Sequence, residues 1–345
     1  MHRHIVLAVT ALALAAPHSA RTQTTSEQER ERIERERERA REARERERER
    51  EQERREREQE QRDRDRERAR ERAASLDTTV AFDARGTVTV SCPSGDVIVV
   101  GGDRNEIRVK ARVESGGIRF TSSGARATLE PASGRGCSDG RFEITVPAGA
   151  RVSAQSWSGS VNVRGVRGDV DVQTRSADAE LRDVGRLDFE SLSGGVTVHG
   201  VNGDANIHTV SGDVELSAVR GDVEIETVSG DLRLNDVVAK QVRTHSTSGD
   251  VDFAGQVMDG GRYEFNTHSG EVVLMLPESV GAQLSVATFS GGIESDFPIT
   301  LRPGDHAIGA SQAKRLNFTL GQGNARIVAE TFSGDVTIKS ATRRR

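Results

Sequence analysis

A Ser-Gly pair, once Ser-Ala, returns along this chain at Ser158, Ser176, Ser193, Ser211, Ser229, Ser248, Ser269 and Ser290, in steps of 18, 17, 18, 18, 19, 21 and 21 residues. Halfway between stand Gly168, Gly185, Gly203 and Gly221, with Ala239 in the next slot. A period this short leaves few folds open. One unit cannot bury its own apolar face, so the units must stack on one another.

The middle units show the rule: Ser211-Gly212-Asp213-Val214-Glu215-Leu216, then Arg220-Gly221-Asp222-Val223-Glu224-Ile225, then Ser229-Gly230-Asp231-Leu232-Arg233-Leu234. After each Asp, apolar and polar residues alternate with the period of a strand. Gly allows the backbone a tight corner, and Asp or Ser can satisfy the corner N–H groups. Val210, Val219 and Val228 each precede a corner Gly by two and are expected to close it. The spacing predicts an all-β fold, a parallel β-solenoid with about 18 residues per turn in two nine-residue half-turns, with neighbouring strands about 4.8 Å apart. Its hand, right-handed or flattened, follows from general chirality alone. Stacking places Glu215, Arg233 and Asp252 in one outward column of alternating sign. A left-handed hexapeptide helix is excluded because corners recur every nine residues, not six. A calcium-binding roll needs Gly-Gly-x-Gly-x-Asp, and here Asp follows a single Gly.

Composition divides the rest. Arg3, with His2 and His4, precedes an apolar run from Ile5 to Ala16, and small residues end it near Ala20. That order fits a cleaved signal peptide over residues 1–20, too short to span a bilayer. The mature chain is then periplasmic or extracellular, with no transmembrane segment. Residues 21–76 hold a Glu/Arg tract; between Ser26 and Ala74 there are 19 Arg against 19 Asp plus Glu. This balance makes no polybasic arm and points to no nucleic acid. Both residue types favour helix, but strict alternation sets like charges at i,i+4. Ile33, Ala40, Ala43 and Ala69 are too sparse for a coiled-coil seam, so a solvated helix and a disordered spacer both fit. Residues 77–345 form the repeat domain: 77–150 as an N-terminal cap, 151–270 as regular turns, 271–345 as the C-terminal part. With so few aromatics, its core is expected from Val, Ile and Leu.

Cys92 and Cys137 are the two cysteines. In an oxidising compartment they are expected to pair as a disulfide, closing a loop that contributes roughly 4 kcal/mol; two unrelated thiols are the alternative.

Three stretches carry a family resemblance: Val88-Thr89-Val90 through Ser94-Gly95-Asp96-Val97-Ile98-Val99, then Val146-Pro147 leading into Ser158-Gly159, and Thr331-Phe332-Ser333-Gly334-Asp335-Val336-Thr337-Ile338. Over roughly residues 77–340 the chain resembles the putative adhesin family of bacterial β-strand-repeat proteins, a domain of unknown function. The resemblance implies a surface or envelope interaction role and supplies no catalytic residues.

No His-Glu-x-x-His pair or phosphate loop is present, and no cofactor is expected. Asp213, Asp231 and Asp250 should stack at one corner with Glu271 continuing the line. Four residues before successive corners stand Glu190, His208, Glu226 and His245. His208, Glu226 and His245 are candidate metal ligands, since imidazole beside carboxylate suits zinc or copper; a sign-matched exposed ladder is the plainer reading. Arg167-Gly168-Asp169 and Arg220-Gly221-Asp222 spell an integrin tripeptide, but Asn202-Gly203-Asp204 in the same slot assigns Gly-Asp to the corner. Trp157, beside a corner, offers a sugar a stacking face or plugs a packing gap. These readings favour a non-enzymatic, adhesin-like binding or envelope scaffold protein, with a cell-envelope protein or glycan as partner. The alternatives are a polysaccharide-active β-helix enzyme and an envelope-stress sensor working through the charged segment.

Overall fold

The computed structural model describes residues 46–64, 74–114, 116–132, 140–298 and 314–341, with six separate positions between 32 and 41. The expected signal peptide and Cys137 lie outside the described residues. The chain divides into two compact units, residues 1–68 and 69–345.

In the first unit, residues 46–64 are helical. The strict Glu/Arg alternation ends at Arg50, and the slip that follows brings opposite charges four residues apart. Glu51 pairs with Arg55 at 2.8 Å, Glu53 with Arg57 at 3.6 Å, Arg54 with Glu58 at 3.8 Å and Glu60 with Arg64 at 2.8 Å. These pairs offset part of the cancellation expected from strict alternation, although Glu49/Glu53 and Glu56/Glu60 still set like charges four apart. Each exposed pair contributes only a few tenths of a kcal/mol, but all act in one direction.

The second unit is built from strands that run mostly parallel and turn a corner between two ladders. In the rear ladder Val196 pairs with Val214, and Val214 with Leu232, each eighteen residues on. In the front ladder Ala205 pairs with Val223. The spacing then widens: Leu232 pairs with Val251 and Val251 with Val272. Apolar positions face inward from both ladders, as Val214, Leu216, Val223 and Ile225 do, each at most 1 % exposed. Val, Ile and Leu supply most of this core, yet Tyr263, Phe189, Phe253 and Phe265 are its largest fully buried side chains. Wider turns leave room for rings: Phe253 lies 5.0 Å from Phe265 and 6.1 Å from Tyr263. The Tyr263 hydroxyl donates to Ala239 O at 2.7 Å and accepts from the Met258 N–H at 2.8 Å.

The corner rule has a direct structural cause. Gly212 and Gly230 sit at φ +151° and +137°, and a Cβ on either would come within 2.2 Å of the carbonyl oxygen of the corner Gly one turn earlier. The Asp that follows then reaches along the stack. Asp213 Oδ1 accepts from the Asp231 N–H at 2.9 Å, Asp231 Oδ1 from the Asp250 N–H at 3.1 Å, and Asp250 Oδ1 from the Glu271 N–H at 2.8 Å. At the opposite corner Asp222 Oδ1 accepts from the N–H groups of Lys240 and Gln241 at 3.2 and 2.9 Å. Each Asp thus holds the next turn by satisfying a backbone donor, a charge-assisted bond.

The stack does not follow chain order at its ends. Val88 of strand Thr87–Gly102 pairs with Val152, 64 residues on, while the other edge of that strand pairs with Arg126–Pro131 and Gly140–Pro147. At the far end Val272 pairs with Val336, again 64 residues on. Ser269 is followed in the stack by Ser333, and Ser333 by Ser290. The step from Ser269 to Ser290, read in the sequence as two successive turns, is interrupted by the chain's own C-terminal turn. Antiparallel strands close both ends. Ala74–Ala81 pairs with Glu106–Val113, which pairs with Gly140–Pro147, and Lys314–Leu320 pairs with Ala282–Ser290. An open parallel ladder would offer unpaired backbone groups to any other strand; at the far end Lys314–Leu320 covers the front ladder, and the rear ladder ends on the short parallel strand Ile293–Ser295.

Candidate functional site

Each front strand alternates strictly. In Ala205–Ser211, Ala205, Ile207 and Thr209 point inward, while Asn206, His208 and Val210 point outward. Inward hydroxyls cap corner carbonyls, among them Thr227 Oγ1, which donates to Ser229 O at 3.3 Å, Thr331 Oγ1 to Gly270 O at 3.0 Å and Thr288 Oγ1 to Gly334 O at 2.8 Å. Cys92 stands in the same inward column, paired in register with Ser156, and is buried.

The outward residues form columns that run along the stack. One carries Gln173, Glu190, His208, Glu226, His245 and Asn266. The next, beside the corner, carries Leu192, Val210 and Val228, which are 52, 45 and 51 % exposed, and continues through Thr247 and His268 to Phe332 and Phe289. Trp157 begins this column, 59 % exposed, with the Arg175 guanidinium 5.3 Å from its ring centre. At the other end three rings stack at the strand repeat: His268 on Phe332 at 4.8 Å and Phe332 on Phe289 at 4.7 Å.

Two sequence expectations need correction here. Val210 and Val228 do not close the corner; of the three named valines only Val219 is buried. The period of two decides this, since Val210 shares parity with His208 and so shares its face. Trp157 plugs no gap, because most of its ring meets solvent.

Between the two columns runs an open groove. One stretch, of about 470 Å³, spans Gln173 to Thr247, and a second, of about 690 Å³, runs from His245 to Phe332 with Lys314 and Arg315 at its rim. His245 and Thr247 line both, so the two are continuous. Arg315 is held by Glu330 at 3.1 Å, and Lys314 donates to Gly291 O at 2.8 Å.

His208, Glu226 and His245 stand in adjacent strands of one column, as the spacing predicts. His208 Nδ1 lies 3.4 Å from Glu226 Oε2. Among the described residues no three His, Cys, Asp or Glu side chains converge as metal ligands. The Arg-Gly-Asp groups are engaged in the corners: Arg220 pairs with Asp236 at 2.8 Å and Asp169 with Arg151 at 3.1 Å. One column further from the corner, burial pushes the Asp171 carboxyl up, and the charges of Asp188 and Glu190 add to it. The rear ladder differs in kind. Its outward column of Glu215, Arg233 and Asp252 is charged, and Arg233 pairs with Asp231 at 3.0 Å.

Residues 103–339, 237 of the chain's 345, match the Toastrack DUF4097 family. The chain belongs to that family. Toastrack DUF4097 is a domain of unknown function with a β-solenoid-like fold, which agrees with the mostly parallel ladders here. No curated protein matches the chain. Among solved structures, it is similar to a putative adhesin from Bacteroides fragilis, at 9 % identity and TM-score 0.38, covering 77 % of this chain and 97 % of that one. A putative adhesin from Parabacteroides distasonis is 9 % identical with TM-score 0.37, and a putative lipid binding protein from the same organism is 11 % identical with TM-score 0.36; each likeness covers 78 % of this chain and 97 % of the other. At such scores these likenesses carry no functional argument. No helix among the described residues of this Toastrack chain is long and apolar enough to cross a membrane.

Proposed function

We propose that this chain is a non-enzymatic, extracytoplasmic binding or envelope scaffold protein, and that it binds through the front groove. The observation that carries the reading is the run of exposed Leu192, Val210 and Val228 beside an outward row of Glu and His side chains, sustained over consecutive turns. A stacked solenoid is rigid and extended, so a row of equivalent positions presents one long surface. Large exposed apolar patches on soluble proteins mark interaction sites. The apolar N-terminal run, read as a signal peptide, supports a position outside the cytoplasm.

Pull-down from envelope extracts tests the reading, using the wild-type chain and a Val210→Asp, Val228→Asp variant. Both positions are exposed, so the variant should fold with an unchanged circular dichroism spectrum. The reading predicts that captured partners are lost with the variant. Equal capture by the two chains would contradict it. A parallel arm lacking residues 26–74 assigns any remaining capture to the charged segment.

A further inference from the structure

The front face is complementary to itself when turned end over end. Consider a two-fold axis in the face, along the strand direction, midway between the His208 and Glu226 strands. A second copy related by this axis keeps each column opposite its own kind but reverses its order. Glu190 then faces the partner's His245, and His208 faces the partner's Glu226, so four Glu–His contacts form across the interface. In the column beside the corner Val210 meets the partner's Val228, and Leu192 meets the partner's Thr247. In the column on the other side Asp188 meets the partner's Arg243 and Asn206 meets the partner's Glu224, while one acidic pair, Asp171 against the partner's Glu264, opposes the match.

Other arrangements fare worse. Moving the axis by one turn in either direction leaves only one kind of Glu–His combination. A parallel pairing sets Glu against Glu and His against His in the same column. An imidazole can donate to a carboxylate as a neutral ring or as a cation, whereas two facing carboxylates repel. The surface is also large enough. Eight strand steps at about 4.8 Å by three outward columns give roughly 750 Å² per copy, against about 800 Å² per partner in a standard interface.

We infer that the front face pairs with a second copy of this chain, antiparallel and two-fold symmetric about the His208–Glu226 step. This rests on the reading of that face as the binding surface and names its partner. The apolar column supplies affinity, and the alternating charges fix the register and reject the parallel alternative.

Sedimentation velocity on the full chain tests it with two variants, His208→Glu with His245→Glu, and Glu190→Lys with Glu226→Lys. The wild type is expected as a dimer, and each variant alone should lose it. An equimolar mixture should recover it, because every facing contact is again a Glu against a Lys or a His. For the register, Leu192→Cys chains should cross-link to Thr247→Cys chains and neither to itself. A monomeric wild type, dimers insensitive to both variants, or no recovery on mixing would overturn the inference. If the wild type is monomeric while Val210→Asp with Val228→Asp still abolishes capture from extracts, only the self-pairing falls and the binding face stands.

Discussion

Asp171 shows how strongly a repeat can load one residue. Its carboxyl is pushed up by burial and by Asp188 and Glu190, and its Oδ1 is buried without a hydrogen-bond partner. The native state therefore holds this proton more tightly than the unfolded chain does. Stability falls as pH rises from the unfolded value, about 3.9, through the raised native one, and the cost persists above it. Asp171→Asn should raise Tm at neutral pH, and the gain should vanish below about pH 4; a gain independent of pH would contradict this. At the corners the opposite substitution is costly. Gly230→Ala puts a Cβ against the Gly212 carbonyl at a positive φ and should lower stability by about 2–4 kcal/mol in denaturant titration. Asp231→Ala, which leaves the Asp250 N–H without its acceptor, should cost about 1 kcal/mol. At this scale the corner chemistry was legible, since Gly followed by Asp has one physical explanation repeated many times. The exposure of Val210 was not legible from residue type, because strand parity sets its face.

Among elements, the helix and the end turns depart most from a plain reading of the chain. The four-apart pairs of residues 51–64 are solvent-exposed, so salt should screen them. A peptide of residues 46–64 should lose helical circular dichroism signal between low and 1 M salt; an unchanged spectrum would mean that the pairs contribute nothing. The strand period and the successive 17–19-residue steps were legible because each regular turn contacts its sequence neighbour. The 64-residue pairings were not, because any unit carrying Ser-Gly-Asp-Val fits equally well against any other. Antiparallel partners that lack the motif, among them Glu106–Val113, Ile118–Ser122 and Lys314–Leu320, mark where the stack ends. Ala325–Ser333 and Val336–Ala341 therefore lie inside the stack. Deleting residues 325–345 should strip amide protection from Val251–Ser269 and Val272–Pro277 as well as from Ala282–Ser290, as read by hydrogen exchange. Protection lost only from Ala282–Ser290 would contradict the order found here.

Across the whole repeat unit, the same eighteen-residue rule produces two unlike faces. The rear ladder presents charge, while the front presents an apolar column beside alternating Glu and His, with a groove of several hundred Å³ between them. The Glu190, His208, Glu226 and His245 column was legible as a column, but its apolar neighbour was not, and the neighbour turns a row of charges into a candidate interface. The motif that announces the fold is thus spent on corners, and the binding account rests on what lies between them. Hydroxyl-radical footprinting of the chain, free and in its bound or self-associated state, tests this most directly. The account predicts protection at Leu192, Val210, Val228 and Phe332, with Val273 and Met275 of the rear ladder unchanged. Protection of the rear ladder with the front column left reactive would contradict it.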